Sequence, residues 1–499
     1  MRYTKPFSSI LVIIVVSILV IPIGFSTVDL NGRTSDLNFS LSEEVSDVPY
    51  VWQEINGFCF PSALSMVLQS IGLDLSLYDI LASSGAGFSA VSISVDETMI
   101  IYPGVFVRQI SWFAFFTDLY GLEMQFYIDS STDFGYYGKQ IVESTGSTYI
   151  DYNDENMGPF DVMRESIDAG YPLAISCDTY YLPVEDWDLI RDYVGPLVPG
   201  GVGHAIVIVG YNDTSNLVRV YDPGVGLGFD NRGYPDDGRW NYTMSYAELF
   251  QAWQSAGFAT FRVSNGTGQV ADYESRLASY ISNRLIGNRS TYFEGYENYY
   301  FMGTGAEAFR GMGLDMCLEA IRDYSYNYME IDKANALRRL GQNLEAMITM
   351  EYYAFRGSLE SLPNLLPSID LEAFLDEASE AIPHFEALSH NDTVSMSIDI
   401  PSRDTLLYNT FFGIADRFDA TWDLDASISE FSNGLDQISG HLIAIADAWK
   451  AAGEALSQEL GGSPRLLNSD LTVVIGGGAA ILIVGVILVI WRRNSNQID

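Results

Sequence analysis

The alternation of apolar and polar positions divides the chain into stretches of different period. Two long apolar runs stand at its ends, at 7–25 and 471–491. Between them, residues 48–264 mix helical and strand patterns. In the 61–70 segment Ala63, Leu64, Val67 and Leu68 recur at helical spacing, and Gly72 stands where a C-cap belongs. Residues 106–119 and 160–168 also have helical periodicity. Short β-type runs follow at 173–177, 205–211, 217–221 and 258–263, bounded by Gly, Pro or Asn-Asp turns. Helices first and strands afterwards predict an α+β domain over 50–265. From 272 onward the strand pattern stops. Amphipathic helices are predicted at 308–324, 332–353, 371–381, 405–418 and 435–456, broken by Pro363, Pro367, Pro383 and Pro401. Residues 270–460 therefore read as an all-α helical domain.

The two ends predict a membrane setting. Arg2 and Lys5 precede the 7–25 run, the layout of a secretory signal, but no A-x-A site follows. Residues 1–27 read as a signal peptide or an uncleaved anchor, and the polar segment 28–49 as a linker. The stretch LTVVIGGGAAILIVGVILVIW at 471–491 is free of charge and matches the ~20 residues needed to cross a bilayer. Arg492 and Arg493 follow at once. The positive-inside rule assigns 492–499 to a cytoplasmic tail and the bulk of the chain to the outside. The expectation is a single-pass protein of the cell membrane with an extracytoplasmic body. Sequons at Asn38, Asn212, Asn241, Asn265, Asn288 and Asn391 fit an exterior location.

Composition narrows the function classes. The 499 residues exceed what one compact domain usually holds, and 48% hydrophobic content excludes a mostly disordered chain. Asp+Glu 65 against Lys+Arg 26 leaves a net charge of -39, which excludes nucleic acid as a partner. Such acidity fits a salty habitat or a soluble ectodomain alike. Three cysteines exclude a disulfide scaffold and a multi-cysteine zinc site. With four histidines, no metal or cofactor is expected.

Three short stretches carry candidate chemistry. Cys59 sits directly before a predicted helix whose first turn holds Pro61. The positive end of the helix dipole and unpaired N–H groups favour a thiolate there. Gln53, six residues upstream, is spaced to return beside the thiol and donate to an oxyanion. His204 opens an apolar strand after the glycine-rich approach 200–203, placed to take and return a proton. Asp222 follows the strand at 217–221 and precedes Pro223, where a hairpin partner of the His204 strand would end. Taken singly, each has an ordinary alternative: a packing cysteine, a structural histidine, an Asp-Pro turn.

Together, in the order Gln53, Cys59, His204, Asp222, they resemble papain-like cysteine peptidases. The match is nearer to the peptidase domains that cleave double-glycine leaders, the bacteriocin-processing peptidase-like domains. The resemblance implies a papain-like fold, a helical lobe plus an antiparallel sheet lobe. It implies Cys59 as nucleophile, His204 as general base and acid, Asp222 as its orienter and Gln53 as oxyanion donor. Ser84-Gly85-Ala86-Gly87-Phe88, Asp168-Ala169-Gly170-Tyr171-Pro172-Leu173 and Asp178-Thr179-Tyr180-Tyr181-Leu182-Pro183 further resemble the N-terminal domain of butirosin-biosynthesis acyltransferase-like proteins. Gly303-Thr304-Gly305 and Phe309-Arg310 extend that likeness thinly. Phe60 departs from the small residue that usually follows the nucleophile.

These residues lead to a membrane-anchored extracytoplasmic cysteine hydrolase, a peptidase, acting on a peptide or acyl substrate through an acyl-enzyme. The alternatives are an acyl or amide transferase using the same triad, and an inactive papain-like binding module, for which Phe60 is the hint. Cys177 and Cys317 read as core residues, with a bridge between them as the alternative outside the cell. His384, His390 and His441 share no spacing with each other. The acidic run at 151–155 and the face formed by Glu372, Asp376 and Glu380 read as solvated. The aromatic run 296–301 reads as core or domain interface.

Overall fold

A computed structural model describes residues 43–461, apart from 56, 96–97, 104–110, 133–134, 137–138, 140–148, 155–156, 189–202, 227–233, 265–268, 291–298, 316–332 and 390–404. The strands are β1 (Glu43–Glu44), β2 (Ala90–Val95), β3 (Thr98–Pro103), β4 (Glu123–Ile128), β5 (Ile150–Asp151), β6 (Leu173–Asp178), β7 (Gly203–Asn212), β8 (Leu217–Tyr221), β9 (Asn241–Ser245), β10 (Thr260–Ser264), β11 (Asn288–Ser290) and β12 (Tyr299–Thr304). The helices of the first half are α1 (Cys59–Ser70), α2 (Leu77–Ser83), α3 (Ser111–Tyr120), α4 (Pro159–Asp168) and α5 (Tyr246–Ser255). Those of the second half are α6 (Tyr273–Ile286), α7 (Ala306–Asp315), α8 (Lys333–Leu365), α9 (Glu372–Ser379), α10 (Ile382–Leu388), α11 (Leu406–Thr421), α12 (Leu424–Glu430) and α13 (Ser432–Glu459).

Helix α1 forms as its pattern predicts. Its stripe of Ala63, Leu64, Val67 and Leu68 is buried, and Pro61 lies in the first turn, where a missing N–H costs nothing. At its end Gly72 turns left-handed, with φ +89. Its N–H bonds Gln69 O at 3.0 Å and that of Leu73 bonds Leu68 O at 3.0 Å, a complete Schellman closure. Truncating Leu64 to Ala would cost about 2–5 kcal/mol, because the pocket cannot collapse around the lost methyls.

The main sheet runs β5-β4-β10-β6-β7-β8-β9, with β1 also on β7. Its pairings are antiparallel except β4 with β5. Central strand β7 is apolar on both faces. Ala205, Val207 and Val209 pack toward α1, while Ile206 and Ile208 pack toward α4 and α5. Burial on both sides is why this strand reads as one continuous apolar run rather than an alternation. Residues 43–48, expected to be linker, are instead tied to the sheet. Glu43 and Glu44 pair with Tyr211 and Gly210, Val45 N–H bonds Val209 O at 2.8 Å, and Val48 is buried.

The second half is not purely helical, contrary to the periodicity reading. Strands β11 and β12 join β2 and β3 in an antiparallel sheet ordered β11-β12-β2-β3. The aromatic run at 299–301 supplies β-propensity that the helical reading passed over. Pro363 lies inside α8, which ends two residues later at Leu365, and Pro383 sits in the first turn of α10, where its missing N–H costs nothing. One core of buried apolar side chains continues from Leu64 and Val207 through Ile281 and Phe309 to Trp449. Among the described residues no helix is long and apolar enough to cross a membrane. The stretches 7–25 and 471–491 lie outside the described residues.

Candidate active site

The site forms where the start of α1 meets the start of β7 and the end of β8. Cys59 is the first residue of α1, half-buried and a free thiol. Phe58 precedes it as N-cap without a side-chain hydrogen bond, so no side chain caps the first turn of N–H groups. Phe60 turns into the core, 5% exposed, its ring 4.6 Å from that of Phe261. The bulk that departs from the family pattern therefore lies away from the thiol, on the sheet-facing side of α1.

His204 is the second residue of β7 and Asp222 follows the end of β8, its hairpin partner. His204 Nε2 and Asp222 Oδ1 are 2.6 Å apart, and both side chains are buried. The Cys59 thiol lies close enough to the imidazole to act on its titration. With Nε2 engaged by Asp222, Nδ1 is the ring nitrogen left for the sulfur. The structure thus brings Cys59, His204 and Asp222 together at one site. The glycine-rich approach at 200–202 lies outside the described residues.

Burial pulls the imidazole pKa down, but the charge of Asp222, its hydrogen bond and the contact with Cys59 outweigh that and raise it to about 10. For Asp222 burial pushes upward. The His204 charge and hydrogen bond, then the Trp187 and Gly224 N–H donors, overcome it and hold the carboxyl below its usual range. Both directions favour an imidazolium–carboxylate pair.

Sequence reasoning missed the other groups that hold Asp222. Trp187 Nε1 donates to Oδ2 at 3.0 Å, Tyr242 Oη donates to Oδ2 at 3.2 Å, and Gly224 N–H donates to Oδ1 at 2.8 Å. The Trp187 ring also lies 4.9 Å from the imidazole. Gly224 has to be glycine: a Cβ there would stand 2.8 Å from His204 Cε1 and 2.8 Å from Trp187. Trp187 closes a short 3-10 turn at Glu185–Trp187, a position that no hydrophobic period marks. The only sequence pointer is the preceding segment 178–183. There Asp178 Oδ1 accepts the Tyr180 N–H at 3.0 Å, starting a second 3-10 turn, and burial raises its carboxyl to about 6.

Gln53 is 2% exposed. Its main-chain N–H bonds Pro223 O at 3.0 Å, which sets it against the turn that carries Asp222. Its Oε1 has no hydrogen-bond partner among the described residues. Between Gln53 and Cys59 the chain turns through Glu54 at φ 56 and Gly57 at φ 97.

The residues set aside fall out as follows. Cys177 is a free, fully buried thiol paired across β6–β7 with His204; burial first, then the charge of Asp222, pushes its pKa well up. Cys317 and His390 lie outside the described residues. His384 and His441 do meet despite their lack of spacing, Nδ1 to Nδ1 at 2.9 Å, because α10 packs on α13. Asp151 is not solvated but buried, bonded by Ser130 and Asn153. Glu372, Asp376 and Glu380 are exposed as read. Among the described residues no three His, Cys, Asp or Glu side chains are grouped to hold a metal.

Residues 45–260 match the model of the Peptidase_C39 like family, which relates this part of the chain to the papain-like cysteine peptidase superfamily. Among curated proteins, none matches the sequence.

Proposed function

We propose that the protein is a membrane-anchored, extracytoplasmic cysteine hydrolase, a thiol peptidase that cleaves an amide through an acyl-enzyme. The observation that carries this reading is the buried His204–Asp222 hydrogen bond with Cys59 beside the imidazole at the start of α1. His204 Nδ1 takes the Cys59 proton, and Asp222 balances the imidazolium. The sulfur adds to the substrate carbonyl carbon. The carbonyl oxygen becomes an oxyanion held by the Cys59 backbone N–H and the Gln53 side-chain amide. As the C–N bond breaks, His204 returns its proton to the leaving amine. Water, deprotonated by His204, then adds to the thioester and releases acid and free thiol. The apolar run 471–491 with Arg492 and Arg493 supports the anchor, and the 7–25 run supports export.

The test is a peptide-substrate screen with the wild type, Cys59→Ala and His204→Ala. Turnover by the wild type and none by either variant is expected. Undiminished turnover by Cys59→Ala would sink the assignment. For topology, protease added to intact cells should digest the body; a protected body would rule out the exterior placement.

Acyl or amide transfer is the second reading. It is favoured by the resemblance of the segments 84–88, 168–173 and 178–183 to butirosin-biosynthesis acyltransferase-like proteins. The acyl-enzyme would be the same, with an amine replacing water. If added amines leave the product as free acid alone, transfer is excluded.

A further inference from the structure

The loop between the oxyanion residue and the nucleophile has two supports, and one of them is not part of the papain-like region. On one side Gln53 N–H bonds Pro223 O. On the other, Ile55 and Phe58, 2% and 0% exposed, pack in one cluster with Leu77, Leu81 and Ala86 and with Met350 and Ala354 of α8. The Phe58 ring meets Tyr78 edge-on at 6.5 Å. Tyr78 Oη donates to Glu54 Oε2 at 2.8 Å, the residue held at φ 56. Gly357 of α8 comes so close beneath Tyr78 that a Cβ would stand 2.0 Å from its ring.

We propose that α8 is a working part of the active site, and that Met350, Ala354 and Gly357 are positioning residues which set the loop from Gln53 to Phe58. The inference rests on the roles given above to Cys59 and Gln53. A left-handed Glu54 is a conformation the isolated chain populates little, so the loop holds its shape only where its neighbours over-determine it. Among the described residues Gln53 Oε1 has no hydrogen-bond partner, so none of them holds the amide through that atom. Its orientation then follows from the backbone, and the backbone beyond it lies on α8. The base is supported elsewhere: Asp222 takes its donors from Trp187, Tyr242 and Gly224, on the sheet side. A change in α8 should therefore disturb oxyanion placement and leave the His204–Asp222 pair intact.

The experiment uses the full chain with Met350→Ala, Gly357→Ala and the volume-conserving Met350→Leu. Four readouts are taken: kcat and KM on an amide substrate, the pH profile of Cys59 alkylation by iodoacetamide, circular dichroism, and hydrogen exchange of the 51–60 peptide. Alkylation forms no oxyanion and so does not need Gln53. The expected result for Met350→Ala and Gly357→Ala is a kcat about 10- to 100-fold lower, the range for a displaced oxyanion donor. KM and the alkylation profile stay as in the wild type, exchange in 51–60 speeds up, and Met350→Leu restores kcat. Gly357→Ala perturbs the loop in the opposite sense to the cavity variant, because its Cβ pushes on the Tyr78 ring, and circular dichroism checks that both variants stay folded. Full kcat in both folded variants overturns the proposal, as does a kcat loss that moves together with the alkylation profile. If even the wild type turns over no substrate, the hydrolase reading fails. The exchange of 51–60 then decides this one, and unchanged exchange overturns it.

Discussion

Replacing Trp187 by Phe removes one hydrogen bond from a fully buried carboxylate and leaves an aromatic ring beside His204. Trp187 Nε1 lies 3.0 Å from Asp222 Oδ2, and Asp222 is 0% exposed. A hydrogen bond to a charged group contributes about 1.5–3 kcal/mol. The smaller ring also leaves a gap beside His204, about 1 kcal/mol more. The two parts depend differently on pH. The folded-state pKa of Asp222 is lowered, so its ionised form stabilises the fold above the unfolded value and that stability is lost as pH falls through the lowered value. Losing the Trp187 donor makes the lowering smaller. The variant should therefore be about 2.5–4 kcal/mol less stable than the wild type at pH 7. The difference should narrow toward about 1 kcal/mol as pH falls below about 4, where the carboxyl begins to take up its proton in the variant. Urea midpoints across this range read the difference directly. A loss of the same size at every pH would mean that Trp187 acts by packing alone and that its hydrogen bond does not hold Asp222.

Other outcomes follow from the same geometry. Gly224→Ala forces a Cβ against His204 and Trp187 and should cost about 1–3 kcal/mol of stability, with turnover lost as the imidazole is displaced; a fully active variant would show that the turn gives way freely. The raised His204 value means that the stability of the imidazolium–Asp222 pair is complete below the unfolded pKa of about 6.5 and is lost as pH climbs through about 10. Asp222→Asn should flatten that alkaline decline in a stability–pH curve; a decline unchanged in the variant would assign it to other groups. Burial and the neighbouring His384 lower the His441 value, so folding weakens as pH drops through the unfolded value near 6.5. His441→Gln should reduce the loss of stability between pH 7.5 and pH 5, and an undiminished loss would remove this histidine pair as its source.

The main elements of the first half were legible because burial on defined faces leaves a period in the sequence. The α1 stripe, its glycine cap and the continuous apolar run of β7 each translate directly into a packed surface. The three reactive side chains were legible through residue type and order, since a cysteine at a helix start and a histidine at a strand start are few in a chain with three and four of them. What stayed hidden depends on contacts that leave no period. Trp187 sits in a single 3-10 turn, and its partner Asp222 is 35 residues away. Strand β12 pairs with β2 more than 200 residues earlier, as in Tyr299 with Val95, and β11 joins the sheet through β12; such non-local pairing has no local signature. Residues 43–48 looked like linker because an edge strand pairs through its backbone, and polar side chains such as Glu43 and Glu44 do not prevent that.

The hydrogen bonds around Asp222 also bear on how the site holds together. Tyr50 Oη donates to the Asp222 carbonyl at 3.1 Å, Gln53 N–H to the Pro223 carbonyl at 3.0 Å, and Trp52 Nε1 to the Val225 carbonyl at 3.0 Å. Residues 50–53 are thus laid along the turn 222–225, with Tyr50 stacked on Trp240 at 4.0 Å. The segment that carries the oxyanion residue and the turn that carries the orienting carboxylate are registered to each other by these contacts. A shift of the turn would move the Gln53 backbone with it, whereas a shift of the loop beyond Gln53, on its α8 side, leaves the turn in place. The seam uses main-chain carbonyls as acceptors, and its side-chain donors are the neutral Tyr50 hydroxyl and Trp52 indole. In a chain of net charge -39, a further carboxylate beside Asp222 would oppose the imidazolium–carboxylate pair's balance, and neutral donors avoid that cost.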